Sequence, residues 1–541
     1  MTMTTAPIVD VAPEELQRLL DALRAAQALD PIPDAPTRRD RIDRFVAAVL
    51  EHGDELAAAL DADFGGRPPT ISMELDILGG LETIAFARTQ LETWMAPTEV
   101  PAAMGGAIPA YVQNRPKGVV GVIGPWNFPV ALVLVPAVEA LAAGNRVMIK
   151  FSDMAPRTGA VFARAVASRM SPEEAVVVNG GLATATAFSD LRFDHLFFTG
   201  SPKVGRLVAT AAGRNLVPVT LELGGKNPAV VAPDADVAEA AKRLAAARHI
   251  NNGQVCLSPD YAFVPESGRD TFVESYRNAV LAHFPTFIDN PDVVSIVNDA
   301  NYARVTGLVE DAKSKGATEV VIVPESERNR VPDAQVRRIP PTLLLDTPAD
   351  AEINAEEIFG PVLVVHTYRD VDEAISFVAA GEHPLSSYWY GADTSDFQRF
   401  LVNTTSGAVS RNDFGLAYGN HVAPFGGVGM SGSGAYHGMA GFDTFSHQRV
   451  IAQSDLPIGL AAALVPPLTP ERVAGVAGAG PGGTPEIRGR VGKSVAWRGC
   501  GGGGVVRPAV RPGGRGGGRP AAAPPPPADI TARLHRPDER S

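Results

Sequence analysis

Glu222 and Cys256 are the side chains best suited to covalent chemistry, a carboxylate that can move a proton and a thiol whose ionised form is a nucleophile. Both lie in the stretch Val217 to Cys256, VPVTLELGGKNPAVVAPDADVAEAAKRLAAARHINNGQVC. Each also has a plain reading taken alone: a solvated carboxylate on a strand, and a small thiol used as a core hydrophobe. Alone, neither residue settles which reading holds.

Val217, Val219, Leu221 and Leu223 alternate with Pro218, Thr220, Glu222 and Gly224, so the spacing predicts a strand with Glu222 near its end. Gly224-Gly225 permits a tight turn, and Ala229 to Ala232 forms a second apolar run. Asp234 or Asp236 can cap a helix in which Val237, Ala241, Leu244 and Arg248 share one stripe, and Asn251-Asn252-Gly253 stops it. Cys256 is thereby expected on a short polar loop, open to substrate and to a base, ahead of a strand over Tyr261 to Val264.

Three amphipathic helices are expected first, through Leu16 to Leu23, Ile42 to Leu50, and Ile77 to about Trp94, followed by a connection over Pro97 to Gly106 and a strand over Ala110 to Arg115. From Gly118 short aliphatic strands alternate with helices, which means a parallel sheet covered on both faces and ligands bound beyond the strand ends. Three strand-end segments stand out. Gly124-Pro125-Trp126-Asn127-Phe128-Pro129 fixes the backbone and leaves the Asn127 amide to donate to a developing oxyanion. Lys150-Phe151-Ser152-Asp153 offers a cation and a carboxylate for ribose hydroxyls. In Phe198 to Gly205, Ser201 can cap a helix beginning at Pro202, whose N-terminus suits a pyrophosphate. The one GxGxxG match, Gly427 to Gly432, has no strand before it and reads as a loop.

After Cys256 a second α/β unit follows, with strands over Val320 to Val323, Thr342 to Leu345 and Val362 to Thr367, and helices over Asp299 to Lys315 and Val371 to Ala380. Between them Glu357 can accept from a sugar hydroxyl and Phe359 can stack on a flat ring; a surface acidic pair before a core Phe is the alternative.

The 541 residues exceed one ordinary core, and 45% hydrophobic composition is ample for burial. With only two cysteines and no HExxH or histidine cluster, a disulfide framework and a metal mechanism both lack support. The N-terminus has no basic region followed by an apolar core, so the cytoplasm is the expected location, and no stretch reads as a membrane span. Net charge is −12; from Glu471 onward 12 Lys/Arg stand against 5 Asp/Glu, leaving −19 on the remainder. So acidic a body argues against nucleic acid as the main partner.

Taken in order, GPWNFP, the Lys150 strand end, FTGSPKVG, LELGGKNP, NNGQVC and EEIFGPV give roughly Leu16 to Val450 a resemblance to the aldehyde dehydrogenase superfamily. PFGGVGMSGSGAYHGMAGFDTFSHQR resembles its class 3 branch, and SPDY after Cys256 with LETWMAP around Trp94 is most similar to bacterial coniferyl aldehyde dehydrogenases. The resemblance implies Cys256 as nucleophile, Glu222 as general base with a carboxyl raised by burial, and Asn127 as oxyanion donor. Trp126, Lys150, Asp153, Gly200, Ser201, Val204, Gly205, Leu223, Glu357 and Phe359 would hold NAD, with NADP as the alternative, and no metal is involved. An aldehyde, aromatic such as coniferyl aldehyde or medium-chain aliphatic, would become the acid through a thiohemiacetal and a thioester. Phe151 and Asp153 stand where the family has Pro and Glu, which leaves NAD against NADP open, and Arg411 replaces an aliphatic residue near the expected substrate mouth.

The implied architecture is α/β: a discontinuous Rossmann-like cofactor domain (9–107 and 117–224), a second α/β catalytic domain (225–425), an oligomerisation arm (108–116 and 441–452, with a strand over Gly441 to Ile451) and a disordered low-complexity tail (466–541). The arm implies a homodimer or homotetramer. The tail reads either as a flexible basic segment that touches RNA or as an out-of-frame translation of GC-rich DNA. The functional alternative is a catalytically silent oligomeric scaffold with an RNA-touching tail.

Overall fold

Val119–Ile123, Arg146–Lys150, His195–Thr199 and Asn227–Val231 are aliphatic strands buried along their whole length, as strands covered on both faces must be. They belong to two sheets of a computed structural model that describes residues 9–103, 108–455, 461, 465–467 and 469–470. The expected tail lies outside the described residues apart from 466, 467, 469 and 470, and both readings of it fall there too.

The six-stranded sheet runs in the order Gly432–Ser433, Val219–Glu222, His195–Thr199, Val119–Ile123, Arg146–Lys150, Ala175–Val178. Its strands are parallel except for the first, a late segment added antiparallel with Gly432 opposite Glu222. Helix Ala131–Ala142 is buried at every position, because it is wedged between this sheet and the N-terminal helices Ala35–Glu51 and Leu81–Met95. Phe45, Leu134, Val138 and Phe162 fill that side; Leu16, Leu20, Met148 and Leu196 fill the other. Truncating a core aromatic such as Phe162 to alanine costs about 3–5 kcal/mol.

The seven-stranded sheet runs Thr318–Val321, Thr342–Leu345, Val362–Tyr368, Pro259–Pro265, Asn227–Val231, Ser386–Tyr390, Ala408–Arg411, parallel after its first pair. A third, antiparallel sheet joins Thr98–Ala103, Ile108–Pro116 and Ser446–Ala452. Helix starts follow the capping chemistry: Ser201 accepts from Val204 N–H ahead of Pro202–Arg214, and Asp236, not Asp234, caps Val237–His249.

Four expectations need correction. The third helix begins at Leu81; Ser72–Ile77 is a separate π-helical turn, and the Gly79-Gly80 pair breaks the run between them. Pro97 to Gly106 is not merely a connection, because Thr98–Ala103 pairs with Ile108–Pro116. The late strand begins at Ser446, with Gly438–Thr444 helical before it. The Gly427 to Gly432 loop ends in the short edge strand beside Glu222. Among the described residues no helix is long and apolar enough to cross a membrane, and no group of His, Cys, Asp and Glu has metal-ligand spacing.

Candidate active site

The helix Val237–His249 gives way to a tight turn in which Asn251 and Asn252 take φ of +49° and +53°. Asparagine tolerates that conformation, and side-chain hydrogen bonds offset its cost. Asn251 Nδ2 donates to Gln254 O at 3.1 Å and lies 3.3 Å from Asn127 O; Asn252 Nδ2 donates to Val294 O at 2.9 Å. Gly253 has φ +76°, and a Cβ there would sit 2.2 Å from Gly360 O. Beyond the turn Asn227 Nδ2 donates to Cys256 O at 2.7 Å and Tyr388 OH to Leu257 O at 2.6 Å, which fixes the half-buried Cys256 from the seven-stranded sheet.

Glu222 ends its strand in the six-stranded sheet, 4% exposed, with neither carboxylate oxygen hydrogen-bonded. Burial pushes its carboxyl well above the usual range. The Cys256 thiol is pushed up to about 12, first by burial and then by the charges of Glu357 and Glu222, while the backbone N–H groups of Cys256 and Leu257 favour the thiolate. Glu357 is raised to about 8 by burial and by Asp260, against Gly225 N–H, Lys226 and Arg304. The Cys256 thiol therefore feels the charges of two buried carboxylates from distant parts of the chain. Tyr436, also buried, feels the charges of Glu222 and Cys256.

Asn127 is 4% exposed, and its Nδ2 donates to Gln254 O at 3.2 Å. Trp126 meets Phe359 edge to face, with ring centroids 5.2 Å apart. Phe359 has φ +50°, a conformation held by its neighbours: Arg304 donates to Glu357 O at 2.9 Å and to Ile358 O at 2.7 Å, and Ile358 N–H donates to the buried Asp260 at 3.1 Å. Lys226 is ion-paired with Asp260 and bonds Ile353 O at 2.7 Å.

Most residues expected to hold a dinucleotide follow strands of the six-stranded sheet, whereas Glu357 and Phe359 precede Val362–Tyr368 of the seven-stranded sheet. Gly200 N–H donates to Glu222 O at 3.0 Å, and Ser201 caps the thirteen-residue helix Pro202–Arg214, on which Val204 is exposed. Gly205 packs on Leu223, where a Cβ would meet Leu223 Cδ2 at 2.8 Å; one at Gly224 would meet the Glu357 carboxylate at 2.4 Å. Lys150 is 2% exposed, donates to Phe151 O at 2.8 Å, and is lowered by burial against the opposing pull of Asp153 and Asp10. Thr199 Oγ1 is buried without a partner. A capped helix N-terminus at Ser201, glycines closely packed beside it and the unpartnered Thr199 Oγ1 just before it fit a nicotinamide dinucleotide.

Arg411 is exposed, bonds Gly391 O at 3.1 Å and lies over the Phe397 ring. A surface cavity of about 500 Å³ is lined by Phe414, Gly415, Leu416, Gly419, Asn420 and His421. Sequence reasoning did not find the roles of Asn227, Gln254, Asp260, Arg304 and Tyr388. Asn227 and Asp260 stand inside quoted motifs, whereas Arg304 has no local signature.

The aldehyde dehydrogenase family profile matches residues 3–451. A Caulobacter vibrioides protein described as a probable coniferyl aldehyde dehydrogenase is 43% identical over 440 residues, covering 80% of this chain and 90% of its own. The substrate-bound Staphylococcus aureus AldH structure superposes with a TM-score of 0.79 at 31% identity, over 85% of this chain and 99% of that one. An indole-3-acetaldehyde dehydrogenase solved with NAD+ has a TM-score of 0.75 at 26% identity, over 83% and 90%.

Proposed function

The chain belongs to the aldehyde dehydrogenase family, and from that premise we propose that it oxidises an aromatic propenal such as coniferyl aldehyde to the acid with NAD(P). The observation that carries the mechanism is the Asn127 side-chain bond to Gln254 O, which ties an amide donor to the loop of Cys256, where the thiol feels the charges of the buried Glu222 and Glu357.

The Cys256 thiol gives its proton to the Glu222 carboxylate, which releases it to water before the later step, as the sulfur attacks the aldehyde carbon. Asn127 Nδ2 carries two N–H groups and Gln254 O takes one, so the other is free for the oxyanion of the thiohemiacetal. The Cys256 backbone N–H is the second donor. The bound nicotinamide supplies the acceptor for the hydride whose loss leaves a thioester on Cys256. Glu222 then takes a proton from water as the water attacks, and a carboxyl raised by burial suits a base at neutral pH. Trp126, Lys150, Asp153, Gly200, Ser201, Val204, Gly205, Leu223, Glu357 and Phe359 hold the cofactor.

An aromatic substrate is supported by aromatic side chains that pack, as Cys256 does, against the core of the six-stranded sheet. Trp126, Phe128, Phe414 and Tyr418 belong to the same cluster, and the Phe414 to His421 cavity opens beside it. Flat rings stack with such walls more favourably than flexible chains do. The arm sheet leaves two outer strands with unpaired edges and Val450 exposed, which supports association into a dimer or tetramer. A reduced cytoplasmic setting suits the catalytic thiol.

A substrate panel followed by cofactor reduction tests this reading: kcat/KM is expected to be highest for coniferyl aldehyde, lower for benzaldehyde and lowest for medium-chain alkanals. A preference for alkanals would overturn the substrate assignment, and activity surviving in Cys256→Ala would overturn the mechanism.

A further inference from the structure

Arg67 lies directly behind the Asn127 turn with its side chain fully buried. Its Nη1 donates to Asn127 O at 2.8 Å, its Nη2 stands 3.3 Å from Asp76 Oδ2, and its guanidinium lies over the rings of Phe64 and Phe128 at 4.8 and 5.2 Å. Asp76 Oδ1 accepts from the N–H groups of Val130 and Ala131 at 2.9 and 2.8 Å. One buried ion pair thus grips both ends of the segment 127–131. The Arg67 segment is itself anchored: Ser295 N–H donates to Gly66 O at 2.8 Å, while Gln254 Nε2 donates to Ser295 O at 3.1 Å. Arg67 and Gln254, which hold Asn127 from opposite sides, are registered to each other through Ser295.

A fully buried ion pair returns little net stability over an apolar pair of similar volume, because both charges lose their hydration. Here Arg67 Nε and Asp76 Oδ2 also lack hydrogen bonds. What the pair does supply is a fixed plane for the Asn127 peptide, and with it the direction of the Asn127 amide. Oxyanion donors act through such fixed geometry, and displacement by about 1 Å is enough to cost rate. We propose that Arg67 and Asp76 are positioning residues that set the Asn127 amide for the oxyanion formed at Cys256. This rests on the reading of Asn127 as oxyanion donor.

The test is a double-mutant cycle in the full-length enzyme with NAD+ and an aromatic aldehyde. Arg67→Met is expected to lower kcat by roughly 10- to 100-fold with KM within about twofold, and Asn127→Ala by roughly 10²- to 10³-fold. If Arg67 acts through Asn127, the combined variant falls no more than about threefold below Asn127→Ala. Multiplying losses, or a raised KM with kcat intact, overturn the positioning role. A silent Asn127→Ala overturns the oxyanion reading itself, so the two failures are distinct. Should Arg67→Met not fold, Arg67→Lys keeps the charge and loses the directed bond. It is then expected to lower kcat about threefold to tenfold in the native background and not in Asn127→Ala, and an unchanged kcat overturns the proposal.

Discussion

The Asn127 side-chain amide donates to the Gln254 carbonyl at 3.2 Å, which ties the turn after Val119–Ile123 to the loop that carries Cys256. This bond joins segments that follow strands of the two sheets, two residues from Cys256, and it occupies only one of the amide's two N–H groups. Asn127→Asp removes both donors and adds a negative charge next to a developing oxyanion. Its kcat is expected to fall further than that of Asn127→Ala, by more than about 10²-fold relative to the native enzyme. Steady-state kinetics with a saturating aldehyde check this, and equal rates for the two variants would contradict it.

Burial holds the Glu222 carboxyl well above its usual range, and a general base works only when deprotonated. The rate of thioester hydrolysis is therefore expected to rise with pH to an inflection above the ordinary carboxylate range. Glu222→Gln should be slower by roughly 10²- to 10⁴-fold and lose that inflection. A pH profile of kcat for both proteins reads the difference. An inflection retained in Glu222→Gln would assign it to another group.

Glu357, raised to about 8, is mostly ionised at about pH 9, where its charge disfavours the Cys256 thiolate. Removing that charge lowers the thiol pKa, so cofactor-free Glu357→Gln is expected to react with iodoacetamide roughly threefold to tenfold faster at about pH 9. Peptide mass analysis of Cys256 alkylation follows it; an unchanged or slower rate would place Glu357 too far from the sulfur to matter.

Glu139 sits inside the fully buried helix Ala131–Ala142, with neither carboxylate oxygen hydrogen-bonded, and burial pushes its carboxyl well above 4.5. A folded-state pKa raised above the unfolded value gives stability that is complete below the unfolded pKa. That stability is lost as pH rises through the folded pKa, because the unfolded chain gives up the proton first. Glu139→Gln has no such loss. Its Tm relative to the native protein should increase steadily from about pH 5 upward, and parallel Tm curves would contradict the assignment.

Much of the fold can be read from the sequence because the parallel strands are aliphatic along their whole length, so LFF in His195–Thr199 and MI in Arg146–Lys150 announce themselves. Thr98–Ala103 does not: TEVPAA holds a glutamate and a proline, and it becomes a strand only by pairing with Ile108–Pro116. Leu182–Ser189 likewise has almost no difference between its faces to mark it as a helix. At the site, the placement of Glu222 and Asn127 at strand ends and of Cys256 beyond a glycine turn is legible, because the flanking strands are aliphatic and the turns carry Gly and Pro. Arg67, Asp260 and Arg304 are not, since each acts through contacts with residues more than fifty positions away in the chain.

The account turns on Cys256 and Glu222 serving successive steps at one carbonyl carbon. Intact-protein and peptide mass spectrometry of Glu222→Gln after mixing with NAD+ and coniferyl aldehyde tests this most directly. A stoichiometric acyl adduct on Cys256 is expected, absent in Cys256→Ala. Turnover at the native rate with no adduct, or an adduct on any other residue, would contradict it.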